Sequence, residues 1–138
     1  MQTILVLDDD ASNLKVISLV LRSRGYDVLE AGSGVEAIHI CNSHHEPIHV
    51  LIADVKLPDT SGPQIALRLI ESCPDSVILF VSGTPASCWT TDELAILDHL
   101  PPGSFEILEK PFTPTALEEK VRGLVNQRFK NQFGASGR

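Results

Sequence analysis

Two kinds of apolar pattern alternate along the chain. Thr3 to Leu7 is an almost unbroken apolar, β-branched run that stops at three aspartates, as a strand covered on both faces would. From Ala11 to Arg24 the spacing becomes helical, with Leu14, Ile17 and Leu21 on one face and Gly25 where a C-cap belongs. Tyr26 to Glu30 predicts a short mixed strand, Gly34 to Cys41 a second helix, and Val50 to Ala53 a buried strand ending on Asp54. Pro58, Gly62 and Pro63 mark a loop and a helix start, and Ile65 to Ile70 continue that helix. Val77 to Val81 is the most hydrophobic strand, with Ser82 at its end. Thr84 to Leu97 predicts a weaker fourth helix, Pro101, Pro102 and Gly103 a turn, and Phe105 to Leu108 a fifth strand. Thr113 can cap a last helix, Pro114 suits its first turn, and Leu117, Val121 and Leu124 form its buried stripe.

Five strands alternating with five helices predict an α/β fold, a doubly wound parallel sheet covered on both faces. The expected order is 2-1-3-4-5, the flavodoxin-like arrangement. A chain of 138 residues suits one domain. That domain is expected over 1–127, with 128–138 a flexible tail, linker or cloning remnant, because Gly134, Ala135, Ser136 and Gly137 lack apolar periodicity.

Composition narrows the partners. Hydrophobic residues make up 43% and charged residues 21%, the balance of a soluble globular protein. The formal charge of -7, without a long basic run, argues against direct nucleic-acid binding. No apolar run reaches a membrane span, and the N-terminus enters a strand without a basic leader, so a cytoplasmic protein away from the membrane is expected. Cys41, Cys73 and Cys88 show no CxxC spacing and predict reduced, mostly buried thiols. His44, His45 and His49 fall in a polar stretch broken by Pro47 and predict a solvated loop rather than a metal site.

In doubly wound sheets ligands bind beyond the carboxyl ends of the strands, where strand order reverses. Asp8 and Asp9 follow the first strand, Asp54 the third, Ser82 the fourth and Lys110 the fifth. Singly these residues read as caps, turns and solvated side chains; their joint placement on successive strand ends points to a site. Clustered carboxylates call for a divalent, oxygen-seeking cation, and Mg2+ (or Mn2+) suits a shallow cleft that leaves it several waters. Asp54 is then placed as a nucleophile toward a phosphoryl group, with the metal, Lys110 and the Ser82 hydroxyl facing the three equatorial oxygens.

These residues resemble the receiver domains of two-component response regulators, over Met1 to about Val125. ILVLDDD resembles the family's acid-pair strand, LIADVKLPDTSG its phosphoacceptor strand and loop, VSGT its hydroxyl position and LEKPF its lysine and proline. The resemblance implies that Asp54 is the phosphoacceptor and Asp9 a direct metal ligand, with Asp8 acting largely through water. It also implies the Lys56 carbonyl as a further ligand, and Ser82 and Lys110 as phosphoryl holders. Partners would be a histidine kinase or histidine phosphotransfer protein, with a homodimer through helix four, strand five and helix five also open. Ile107 stands where the family carries a coupling aromatic; Phe105, two residues earlier, points to the same face by strand alternation. Lys56 and Thr84 occupy positions that tune phosphoryl lifetime, and a Lys56 cation beside the cleft would act on the phosphoryl group. SGPQ and KPFTPTALEEKV look most like receivers attached to hybrid histidine kinases.

Three rival readings carry less. A haloacid-dehalogenase-like phosphatase wants an Asp where Lys56 stands, and a cap domain besides. A flavodoxin-like FMN binder wants a phosphate loop where acids follow the first strand. A degenerate receiver, acting as a phosphorylation-independent interaction module, would not need all of Asp8, Asp9, Asp54, Ser82 and Lys110. The expected role is a switch, not an enzyme with external turnover.

Overall fold

The computed structural model describes residues 2–136, with side chains through residue 127. The strands are β1 (Thr3–Leu7), β2 (Asp27–Ala31), β3 (Val50–Asp54), β4 (Val77–Ser82) and β5 (Phe105–Glu109). The helices are α1 (Ala11–Ser23), α2 (Gly34–Ser43), α3 (Gly62–Ser72), α4 (Thr91–Leu97) and α5 (Pro114–Ser136). All strands pair in parallel in the order β2-β1-β3-β4-β5, as the alternation predicted.

Burial explains which strands read clearly. β1 and β4 are buried at every position, and β3 at all but its last, because helices cover both faces of the central sheet. β2 and β5 lie at the edges and are half-buried, which is why their sequences mix polar and apolar residues. One face of the sheet packs Leu5, Leu51, Ile78 and Phe80 with Ala37, Ile65 and Leu69 of α2 and α3. The other packs Ile4, Val6, Ile52 and Leu79 with Ile17 and Leu21 of α1 and Leu117, Val121 and Leu124 of α5.

Two sequence expectations need correction. The Thr84 to Leu97 helix is instead a 3-10 turn over Ala86–Cys88 followed by α4, with Pro85 and the capping Thr90 between strand and helix. Thr90 caps α4 in a reciprocal box with Glu93, a start signal hidden behind the preceding turn. The last helix runs to Ser136, into the stretch 128–138 expected as a tail or linker, of which residues 137 and 138 lie outside the described residues. The cysteines are not mostly buried: Cys41 and Cys73 are partly exposed and Cys88 is exposed on the 3-10 turn. Among the described residues no helix is long and apolar enough to cross a membrane.

Candidate functional site

Parallel pairing brings the strand ends level. Leu7 pairs with Ala53, Asp54 with Val81 and Ser82 with Glu109. The ladder extends into the loops: the Asp8 N–H donates to Ala31 O (3.1 Å), the Val55 N–H to Val81 O (3.2 Å) and the Lys110 N–H to Ser82 O (2.8 Å). Asp8, Asp9, Asp54, Ser82 and Lys110 therefore share the carboxyl edge of the sheet, around the point where the order reverses between β1 and β3.

Carboxylate oxygens of Asp8, Asp9 and Asp54 lie within 4.8 Å of one another. The Lys110 ammonium donates to Asp54 Oδ2 at 3.0 Å and sits 3.7 Å from Asp8 Oδ2. Asp8 is buried, Asp54 half-buried and Asp9 exposed, so the cluster opens to solvent on one side. Burial pushes the Asp8 carboxyl above its ordinary value; the Asp10 N–H and Lys110 pull it back, while Asp54 and Asp9 add repulsion. Burial also works against the charge on Lys110, but its hydrogen bond and attraction to Asp54, with Asp8 behind, leave it above its ordinary value. The site thus holds more negative charge than its one lysine neutralises. Its donors are hard carboxylate oxygens, a set that fits an oxygen-seeking divalent cation.

Two predicted residues reach the edge with their side chains turned elsewhere. The Ser82 hydroxyl donates to Thr84 O at 2.6 Å and accepts from the Thr84 N–H at 3.1 Å, closing a local turn. Facing an anion beside Asp54 requires it to give up that turn. The Lys56 ammonium donates to Glu93 Oε1 of α4 at 2.7 Å.

Sequence reasoning missed several supports. Asp10 is the N-cap of α1, its carboxylate accepting from the Ser12 and Asn13 N–H groups. Asp59, in the loop after β3, accepts from the Gly34 and Val35 N–H groups at 3.1 and 3.0 Å and so ties that loop to the start of α2. Those two hydrogen bonds hold its carboxyl below the ordinary value. A side chain at Gly34 would collide with Thr60 Cγ2 at 2.2 Å, and one at Gly62 with the Asp54 carbonyl oxygen at 2.5 Å. Gly34 lets the loop close against the start of α2 and Gly62 lets it close against β3; the capping Ser33 and Ser61 before them were the available signals.

The aromatic side chains form a path on the α4 side. Phe105 and Ile107 both pack into the core beneath α2, α3 and the 3-10 turn, as strand alternation required. Phe80 meets Phe105 edge-on at 5.9 Å and Trp89 edge-on at 6.0 Å. Trp89 is only 5% exposed, and its Nε1 has no hydrogen-bond partner.

The known proteins that this chain is similar to agree with this geometry. The response regulator receiver domain model matches residues 4–122. Sensor kinase CckA of Brucella abortus (strain 2308) is 33% identical over 91% of the chain, which covers 12% of that kinase. Response regulator receiver protein CpdR of the same organism is 29% identical, with 98% of this chain and 100% of CpdR aligned. A solved response regulator receiver protein from Sinorhizobium medicae WSM419 is 31% identical with a TM-score of 0.77, covering 92% of this chain and 96% of that one. The chain spans about half or less of the length of CckA and of several other curated relatives it matches. The matched span contains every strand end of the acidic site, and the chain belongs to the response regulator receiver domain family, phosphoacceptor signalling domains rather than classical enzymes.

Proposed function

We propose that Asp54 accepts a phosphoryl group from a phosphohistidine on a histidine kinase or histidine phosphotransfer protein. The observation that carries this reading is the cluster of Asp8, Asp9 and Asp54 within 4.8 Å, with the Lys110 ammonium 3.0 Å from Asp54. A carboxylate oxygen of Asp54 forms the new bond to phosphorus as the P–N bond breaks, its electron pair returning to the donor imidazole. Asp8, Asp9, Asp54 and the Lys56 carbonyl would hold Mg2+ (or Mn2+), which supplies positive charge toward the phosphoryl oxygens. Lys110 exchanges its contact with Asp54 for one with the phosphoryl group, keeping an ammonium where charge develops. Ser82 leaves its turn with Thr84 to donate to a further oxygen.

A groove beside Lys110, lined by Val16, Ile17, Pro111 and Phe112, supports docking of the donor protein there. Val16 is 56% exposed, an apolar surface on α1 in the groove that Lys110 also lines. A cytoplasmic setting follows from a kinase donor, and a homodimer through α4, β5 and α5 is the further assembly that this reading includes. The test is incubation with Mg2+ and acetyl phosphate, and separately with beryllofluoride, for wild type and Asp54→Ala. Acid-labile phosphate and a beryllofluoride response in wild type alone are expected; a wild type showing neither overturns the proposal.

A further inference from the structure

Lys56 and Glu93 connect the acidic site to α4 through one carboxylate. Lys56 lies two residues after Asp54, in a loop closed by a bridge between Lys56 and Ser61 and by the Gly62 N–H donating to Val55 O at 3.0 Å. Its ammonium donates to Glu93 Oε1 at 2.7 Å, and the same oxygen accepts the Thr90 N–H at 2.9 Å. The Glu93 N–H in turn donates to the Thr90 hydroxyl at 3.1 Å. Glu93 is 7% exposed, unusual burial for a glutamate, and Lys56 is the cation that meets it.

This placement has mechanical consequences. α4 has only seven residues, so its start depends heavily on its cap. The segment leading into it begins at Ser82, in the acidic site, and ends at Thr90, on the Glu93 box. Trp89, buried against Phe80, adjoins that box. A displacement of the Lys56 loop is therefore delivered to the buried oxygen that fixes the first turn of α4.

We propose that the Lys56 to Glu93 ion pair is an interlock that transmits the state of the Asp54 site to α4, so that Lys56 is a positioning residue acting through its side chain. This rests on the phosphoacceptor reading of Asp54 and gives it a route that does not pass through position 107. Removing the ion pair leaves the Asp54 site able to load while α4 no longer follows.

The test is amide NMR of the full chain titrated with beryllofluoride at saturating Mg2+, for wild type, Lys56→Met and Glu93→Gln. Glu93→Gln keeps neutral acceptors for the cap, so it guards against simple loss of α4. In wild type, amides at Asp54 and Val55 and amides of α4 should shift together. In Glu93→Gln the Asp54 and Val55 shifts should saturate with less than threefold change in midpoint, while in both variants the α4 shifts fall to less than half. Full α4 shifts in both variants overturn the interlock and leave the phosphoacceptor reading standing. Absence of any shift at Asp54 and Val55 in wild type overturns that reading and the interlock with it.

Discussion

Lys110 is the cation that the acidic site already contains, and its removal separates two effects of opposite sign. Its Nζ is 3.0 Å from Asp54 Oδ2 and 3.7 Å from Asp8 Oδ2. In a medium as screened as water these contacts are worth about 1.4 and 1.1 kcal/mol, and at an effective dielectric near 20 roughly 5.5 and 4.5 kcal/mol before desolvation is subtracted. The lysine side chain is 26% exposed and its burial opposes its charge, so the lower figures govern. A net of about 1 to 2 kcal/mol remains. An entering Mg2+ must overcome that attraction and also meets the repulsion of the ammonium. Lys110→Met keeps the side-chain length and removes both obstacles, so Mg2+ affinity should rise about tenfold, the equivalent of about 1.4 kcal/mol.

The same substitution should weaken retention of the phosphoryl group, because an ammonium that faces the phosphoryl oxygens is lost. Calorimetric titration with MgCl2 at pH 7 and constant ionic strength measures the first effect. Acid-labile phosphate formed from acetyl phosphate at saturating Mg2+ measures the second. Tighter Mg2+ binding together with lower phosphate yield is the expected pair. Equal or weaker Mg2+ binding by Lys110→Met would refute the reasoning, since the lysine would then not be competing for the carboxylates.

Asp59 and Gly62 test the supports of the site. The Asp59 carboxyl lies below its ordinary value in the folded chain, so its contribution is present above the unfolded value and is lost as pH falls through the lowered one. The Gly34 and Val35 amide resonances should titrate with a midpoint below the ordinary aspartate value and lose that titration in Asp59→Asn; a midpoint at or above that value contradicts the cap. Gly62→Ala places a methyl 2.5 Å from the Asp54 carbonyl oxygen, and overpacking of this kind typically costs about 1 to 3 kcal/mol. Urea unfolding should show that loss, and an unchanged or raised midpoint would mean that the loop yields without moving β3.

The sheet order was legible because β1, β3 and β4 carry unbroken apolar runs that only a doubly covered sheet accommodates. The carboxylates and the lysine were legible because each directly ends or follows a strand. The side-chain destinations were not. Lys56 meets a residue 37 positions away, and Asp59 meets amides 24 and 25 positions back, pairings that no local spacing encodes. The start of α4 was obscured because its cap, Thr90, follows a separate turn that keeps some helical periodicity.

The three successive aspartates show where strand logic stops. Inside β1, alternation assigns each side chain to one sheet face, but Asp8, Asp9 and Asp10 lie past its end and each follows a different local geometry. Asp8 turns inward and accepts from the Asp10 N–H, Asp9 stays exposed yet within reach of Asp54, and Asp10 caps α1. Two of the three carboxylates thus belong to the acidic site and the third to the helix that follows it. Alternation did hold farther along, at Phe105 and Ile107. There Phe105 occupies the face of β5 that meets Phe80, and Phe80 meets Trp89. The aromatic absent from position 107 is thereby matched by one at 105, farther from Lys110, while the polar Lys56 to Glu93 contact starts two residues from Asp54. On the proposed interlock, the Lys56 to Glu93 ion pair rather than an aromatic ring of β5 carries the state of the acidic site to α4.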